Sequence, residues 1–153
     1  MIDTPVIVDV QARPAAVIHF RIPRQEIGQV MGPGIGELMA TIGRQGIAPA
    51  GPMFSHHTCV DETIFEFDLG VPVSAPVTAE GRVTSGELPA ARAARTVYHG
   101  GYEGLGEAWG EFEAWLDANG HERLPNLWEC YLAGPDVSPD PAHWQTELVH
   151  PLR

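Results

Sequence analysis

Basic residues are scarce in this chain of 153 residues. Nine lysines and arginines stand against twenty aspartates and glutamates, which gives a formal net charge of −11. A surface that binds nucleic acid needs clustered Lys and Arg to neutralise phosphates, so direct binding to DNA or RNA is not expected. The negative charge favours solubility and suits a binder of cationic or neutral molecules.

Long apolar runs are also missing. No stretch approaches the length that crosses a bilayer, and the first eleven residues lack the basic start and apolar core of a secretion signal. The two cysteines, Cys59 and Cys130, form no spaced motif and are expected to be reduced thiols. We therefore expect a cytoplasmic protein with no membrane partner.

The composition is that of an ordinary globular protein, 44% hydrophobic and 19% charged, in a length typical of one domain. Within this single domain, one pattern occurs twice. Gly46 and Gly120 each follow an amphipathic segment, as helix-closing glycines do. Eight residues later come Phe54 and Trp128, each in a short strand preceded by proline, and the offset between the copies is 74 residues.

The two amphipathic segments agree at the same offset. Each carries apolar residues at the i, i+3, i+7 spacing of one buried helical stripe. The first stripe is Ile35, Leu38 and Ile42, and the second is Trp109, Phe112 and Leu116. Further matches in the flanking strands keep the same order, which predicts an internal duplication with pseudo-repeats at about 5–73 and 80–153.

The predicted fold is α+β. Internally duplicated strand–helix–strand–strand units form one antiparallel sheet, with two helices on one face and a concave ligand groove on the other. Helices are predicted over about 33–44 and 104–119, and the segment 23–31 is predicted to be irregular or a single turn because glycines interrupt it. Strands are predicted over 6–10, 15–20, 53–60, 63–69, 82–87, 93–99, 126–133 and 144–149.

The strand around Trp128 carries a carboxylate, Glu129, inside an otherwise apolar run. Because side chains alternate along a strand, Glu129 shares a face with Tyr131, opposite Trp128. If Trp128 and its mate Phe54 pack beneath the helices, the groove receives Glu129 and Tyr131 from one half and Ser55 and His57 from the other.

A carboxylate among aromatic side chains loses hydration, and this loss raises its pKa. Such a group can pair with a cation, or it can act as a general acid or base near neutral pH. The alternative for Glu129 is a solvated position on an exposed strand face.

Three further residues are candidates on weaker signals. Tyr98 suits either packing or ligand contact. Trp109 lies on a helical stripe of the kind that usually forms core, although it can reach a pocket floor. Glu147 is a second carboxylate, on a strand whose facing stays open.

Metal and cofactor motifs are incomplete. His56, His57 and Cys59 do not make up a zinc ligand set, and the glycine-rich runs at 32–36 and 100–104 lack the parallel βαβ setting of a dinucleotide site. No metal and no cofactor are therefore predicted.

A series of segments follows one order in the second half of the chain. It comprises His99–Leu105, a helix closing at Asn119–Gly120, Pro125 with Trp128–Leu132, Trp144–Glu147 and His150–Leu152. In this series the chain resembles the GyrI-like effector-binding family, most strongly over 91–152 and also over 14–73. The resemblance implies a duplicated sheet with two helices, and a pocket glutamate, Glu129, walled by aromatic residues.

Three functions follow from the resemblance. Relatives include drug-sensing domains that bind bulky aromatic or cationic drugs, hydrolases of cyclopropane-bearing toxins, and gyrase-inhibitory proteins. Because the sequence shows no DNA-binding module, we expect a stand-alone small-molecule binder, with Glu129 and Tyr131 as the catalytic pair if turnover occurs. A DNA-processing enzyme is the alternative partner, and the chain is expected to be a monomer or a homodimer. Ser55 and His57 depart from the family's more common aromatic residues.

Overall fold

Eight strands and two α-helices are formed by residues 2–135 and 137–153, which are the residues that the computed structural model of the protein describes. The strands are β1 Val6–Val10, β2 Arg13–Pro23, β3 Phe54–Val60, β4 Ile64–Pro72, β5 Thr84–Leu88, β6 Ala91–His99, β7 Leu127–Ala133 and β8 Gln145–Pro151. The helices are α1 Ile27–Arg44 and α2 Leu105–Ala118, and short 3-10 turns lie at Arg24–Glu26, Tyr102–Gly104 and Pro141–His143.

The elements divide into two units. The C-terminal unit contains the chain up to Val10 together with Ala91–Arg153, and the N-terminal unit contains Gln11–Ala90. Neighbouring strands are antiparallel, in the order β1, β6, β8, β7 in the C-terminal unit and β3, β4, β2, β5 in the N-terminal unit. The predicted α+β class with antiparallel strands is confirmed. The leading strand of each predicted repeat pairs with a strand of the other repeat, since β1 pairs with β6 and β5 pairs with β2. Each unit therefore contains the leading strand of the other repeat.

The strand register confirms the internal duplication. In β3, Ser55 pairs with Leu69 of β4, as Glu129 of β7 pairs with Leu148 of β8. Cross-strand layers therefore correspond one to one. They are Ile18–Leu69–Ser55 and Phe20–Phe67–His57 in the N-terminal unit, and Thr96–Leu148–Glu129 and Tyr98–Thr146–Tyr131 in the C-terminal unit.

Each helix covers one face of its own unit. In the N-terminal unit, Leu38 and Ile42 of α1 are buried with a cluster made of Ala16, Ile18, Phe20, Phe67, Leu69 and Val71. In the C-terminal unit, Ala108, Phe112 and Leu116 of α2 are buried with Ala94, Tyr98, Leu148 and Leu152. Gly46 and Gly120 follow the two helices with φ of 68° and 72°, the left-handed closing conformation that glycine adopts without strain. Within the described part of the chain, no helix is both long and apolar enough to cross a membrane.

Helix α1 begins earlier than predicted. It starts at Ile27 and carries Pro33 in its interior, whereas the sequence predicted irregular structure over 23–31. An internal proline removes one helical hydrogen bond at a cost of about 3 kcal/mol. Ile27, Val30 and Met31 pack against the core of the unit, and burial of side chains of this size contributes about 1.5–3 kcal/mol each when complete. Packing thus offsets the broken bond.

The predicted facing of β3 and β7 is wrong. Trp128 and Phe54 are buried, at 3% and 1% exposure, but they do not lie beneath the helices. Phe54 pairs with Gly70, and Trp128 pairs with Val149, on the side of each strand away from the layers that contact α1 and α2. Both copies are reversed in the same sense, because alternation fixes which residues share a face but not which face the helix covers.

Gly70 is a position where the fold excludes a side chain. A Cβ there would lie 2.5 Å from Phe54 Cζ, 2.9 Å from Val17 Cγ1 and 3.0 Å from the Ala16 carbonyl oxygen. We expect Gly70→Ala to lower the free energy of unfolding by about 1–3 kcal/mol, because overpacking displaces the Phe54 ring. Urea denaturation monitored by circular dichroism measures the change.

Gly110→Ala is the matched control. Gly110 lies inside α2, and an added Cβ there meets nothing within 4 Å. This substitution is expected to raise stability by about 1 kcal/mol, since alanine replaces glycine in an open helical position. A Gly70→Ala protein as stable as the unsubstituted one contradicts the packing argument.

Candidate ligand-binding site

The candidate site is built around the carboxylate of Glu129 on β7. Its register partner Leu148 belongs to the cluster beneath α2, so the Glu129 side chain points toward that helix. Glu129 is 9% exposed. A carboxylate so buried is costly unless hydrogen bonds or an opposite charge replace its lost hydration.

Two aromatic donors meet this carboxylate. The indole Nε1 of Trp109 donates to Oε2 at 2.7 Å, and the hydroxyl of Tyr131 donates to Oε1 at 2.9 Å. An indole N–H can only donate, so Oε2 accepts in this contact. Each carboxylate oxygen therefore accepts a hydrogen bond from an uncharged aromatic side chain.

Tyr102 and Trp144 extend the aromatic surroundings beyond Tyr131. The Tyr102 ring lies 6.0 Å from that of Tyr131, edge to face, and 5.0 Å from that of Trp144. Tyr102 sits in the 3-10 turn that leads into α2 and is 38% exposed. Neither residue was singled out from the sequence. The available signal was an aromatic residue inside the glycine-rich segment that leads into α2.

The structure assigns Trp109 and Tyr98 different surroundings. Trp109 packs against the core beneath α2 and also reaches Glu129, so it joins core and site. Tyr98 is 7% exposed, and its hydroxyl donates to the Gly101 carbonyl oxygen at 2.8 Å. In the same layer as Tyr98 and Tyr131, the Thr146 hydroxyl is buried and has no hydrogen-bond partner among the described residues.

Glu147 is not brought to the face of Glu129. It pairs with Cys130 and Val97, whereas its neighbours Thr146 and Leu148 lie on the α2 side. The facing of β8, which the sequence left open, is therefore fixed by its register.

Ser55 and His57 occupy in the N-terminal unit the positions that Glu129 and Tyr131 occupy in the other. Ser55 Oγ and His57 Nε2 are 3.2 Å apart, and the His57 ring stacks on Phe67 at 4.9 Å. Burial, with smaller contributions from the charges of His56 and Arg24, lowers the pKa of His57 from 6.5 to about 4. The imidazole is thus neutral at pH 7, and its Nδ1 is buried without a hydrogen-bond partner among the described residues.

A duplicated α+β domain that holds a carboxylate among aromatic side chains has the architecture of a small-molecule-binding domain. The chain belongs to the GyrI-like family, because the sequence model of the GyrI-like small molecule binding domain matches residues 3–153. No curated protein matches the chain.

Solved structures share the fold at low sequence identity. The EcmrR C-terminal domain superposes with a TM-score of 0.86 at 19% identity, covering 98% of this chain and 97% of that one. Against the EcmrR chain of a DNA complex, the match spans 57% of that chain's length. A hydrolase from Listeria innocua gives a TM-score of 0.65 at 13% identity, covering 97% and 91%. SAV2435 bound to tetraphenylphosphonium gives 0.68 at 9%, covering 99% and 94%.

The buried imidazole predicts a pH dependence of stability. Between pH 6.5 and about 4 the unfolded chain takes up a proton at His57 that the folded protein does not, so stability is complete above pH 6.5 and falls as the pH falls through this window. The contribution is at most about 3 kcal/mol, since one pKa unit corresponds to about 1.4 kcal/mol. His57→Phe, which keeps an aromatic ring on Phe67, is expected to flatten this part of the stability profile.

Denaturant unfolding at pH 7, 6, 5 and 4.5 measures the profile. His143→Gln, at an exposed histidine, is the control and is expected to keep the profile of the unsubstituted protein. A His57→Phe profile parallel to that of the unsubstituted protein refutes the assignment of a buried neutral imidazole.

Proposed function

We propose that the protein binds a hydrophobic organic cation at Glu129. The observation that carries the proposal is a 9%-exposed carboxylate that accepts hydrogen bonds from two aromatic side chains, Trp109 and Tyr131. A ligand cation can pair with a carboxylate that aromatic side chains hold in place. In a partly dehydrated setting the attraction is stronger than in water, and it grows further when the cation is itself poorly hydrated.

The aromatic side chains select the shape of the ligand. Tyr131, Tyr102 and Trp144 form a contiguous series of rings. Aromatic faces attract cations and bury the apolar groups that surround them. A delocalised or aryl-substituted cation therefore gains from both the carboxylate and the rings, whereas a small hydrated ion gains little. The net charge of −11 adds a long-range attraction for any cation.

Two lines of comparison support this assignment. The family to which the chain belongs is one of small-molecule binding domains. SAV2435, which shares the fold, is bound to tetraphenylphosphonium, a lipophilic cation surrounded by aryl groups. In this proposal Trp109 and Tyr131 hold the Glu129 carboxylate by hydrogen bonds. Tyr98 supports the site through its packing in the core beneath α2. In the N-terminal unit, the neutral Ser55–His57 pair is proposed as an uncharged polar contact for a ligand of that unit.

Tetraphenylphosphonium provides the direct test. We expect the unsubstituted protein to bind it, and Glu129→Gln to weaken binding at least tenfold, because the amide keeps the size of the side chain and removes its charge. The neutral compound triphenylphosphine oxide is expected to bind both proteins equally. Isothermal titration calorimetry measures both ligands.

Glu147→Gln is the matched control for total charge. It removes one carboxylate from the adjacent strand, on the opposite face, and is expected to change the affinity for the cation less than twofold. If both variants lose the same affinity for the cation, the loss reflects only the net charge of the protein. If Glu129→Gln binds the cation as tightly as the unsubstituted protein, Glu129 does not pair with the cation.

Hydrolysis of a reactive electrophile is the second candidate function. Tyr131 donates to Glu129 at 2.9 Å, which is the arrangement of a paired acid and base, and a protein of the same fold is described as a hydrolase. In this scheme the Glu129 carboxylate accepts a proton from a water molecule, and the oxygen of that water attacks a strained cyclopropane carbon. The ring C–C bond breaks toward the electron-accepting part of the molecule, which then takes up a proton, so that one water is added in all.

Mass spectrometry of a cyclopropane-bearing alkylating compound tests turnover. If the protein is a hydrolase, the product with one added water forms faster than in buffer, and Glu129→Gln slows it at least a hundredfold, in the range expected for loss of a general base. Tyr131→Phe is expected to slow it less. Ring opening at the buffer rate excludes this function for the compound class.

A further inference from the structure

Besides Glu129, a line of polar side chains extends from Trp109. The indole ring of Trp109 meets the ring of His150 edge to face, with centroids 6.0 Å apart and planes at 77°. His150 Nε2 lies 3.7 Å from Glu113 Oε2, and Glu113 is also ion-paired with Arg123. Trp109 and Glu113 are four residues apart on α2 and so lie on the same side of that helix.

The duplication shows that the fold does not require this line. At the corresponding positions of the N-terminal unit, Trp109 is replaced by Ile35, Glu113 by Met39 and His150 by Val71. The other two residues are also replaced by uncharged ones: Glu129 corresponds to Ser55, and Arg123 corresponds to Pro49. At these five positions one copy of the unit thus carries apolar or uncharged residues, where the other carries five polar or ionisable ones.

Burying the polar residues of the C-terminal unit costs more free energy than burying their apolar counterparts. His150 is 3% exposed, and at such a position an imidazole must find hydrogen-bond partners that valine does not need. Its Nε2 faces Glu113, and its Nδ1 lies 3.4 Å from the Pro151 carbonyl oxygen. The ring therefore has one polar neighbour at each nitrogen, at 3.7 Å and 3.4 Å. The pKa of Glu113 is lowered, first by its hydrogen bond to His150 and then by the charge of Arg123, against the opposing effect of burial.

A ring in this position restrains its neighbour. Trp109 has two side-chain torsions, and its N–H reaches Glu129 Oε2 only when the indole is oriented toward β7. The His150 ring packs against the indole edge to face, and loss of this contact gives the indole more room to turn. We propose that His150, fixed by Glu113, is a positioning residue that holds the Trp109 indole as a donor to the ligand-binding carboxylate. The consequence for ligand affinity rests on the proposed function, whereas the restraint on Trp109 does not.

The matched variants come from the other copy of the unit. His150→Val introduces the residue found at Val71, and Glu113→Met introduces that found at Met39. In a ¹H–¹⁵N spectrum the four tryptophans give four indole signals, and Trp109→Phe identifies the relevant one. We expect both variants to shift the Trp109 indole signal and to accelerate its exchange with solvent at least tenfold. Asp117→Asn, at an exposed partner of Arg123, is expected to leave the signal in place.

Binding of tetraphenylphosphonium supplies the second readout. His150→Val is expected to weaken it threefold to tenfold in the unsubstituted protein, and less than twofold in the Glu129→Gln background, because residues that act through one another are not additive. A folded His150→Val protein with an unchanged Trp109 signal and exchange rate overturns the proposal. Equal losses in the two backgrounds also overturn it.

A third variant and an internal control keep the test decisive. If His150→Val does not fold, Glu113→Gln, which keeps the size of the side chain and weakens its hold on His150, is measured in its place with the same expectations. If the unsubstituted protein does not bind the cation, the proposed function fails, and the indole signal alone decides whether His150 positions Trp109.

Discussion

A buried carboxylate that is hydrogen-bonded by uncharged donors is the constraint on which the candidate site depends. Trp109 and Tyr131 help Glu129 to lie under α2, because their hydrogen bonds replace water at its two oxygens. The helix must therefore place an indole above β7, and β7 must keep the register that puts Glu129 opposite Leu148. Small shifts of helix or strand would leave an unpaired anion in the interior, at a cost of several kcal/mol.

The two units have the same strand register but carry different side chains at equivalent positions. Their register is the same, layer for layer, yet the layer that ends in Glu129 ends in Ser55 in the other copy. The N-terminal unit fills its core with phenylalanine and aliphatic residues around a neutral imidazole. The C-terminal unit carries the carboxylate, its donors and the polar line that extends from Trp109. The apolar copy serves as an internal reference, because it shows which polar residues the fold could do without.

Much of the fold could be predicted from the sequence, because it depends on spacing. The repeated stripes, the closing glycines and the offset of 74 residues located α2, the end of α1 and all the strands within a few residues. The start of α1 was missed because Pro33 argues locally against a helix, while the packing of Ile27 and Val30 that outweighs it is visible only in three dimensions.

The site was predicted less completely. Glu129 and Tyr131 were paired correctly on one face, but that face was assigned to the wrong side of the strand. Both faces of β7 are buried, with Trp128 at 3% exposure and Glu129 at 9%, so hydrophobicity could not identify the side that the helix covers. Tyr102 lies in a 3-10 turn, where periodicity gives little information, and Trp144 directly precedes β8, a strand whose facing the sequence left open.

The pairing of β1 with β6 has a consequence for the way the chain is made. Val6 lies opposite Arg95, so the partner of β1 leaves the ribosome almost ninety residues after β1 itself. Throughout that interval β1 has no strand of its own unit to join, and by the time β6 is made all the strands and the helix of the N-terminal unit have been synthesised. Contacts so distant along the chain slow folding, because a long loop must close before they form. The C-terminal unit, which carries the Glu129 carboxylate, can thus be completed only after the N-terminal unit has been synthesised.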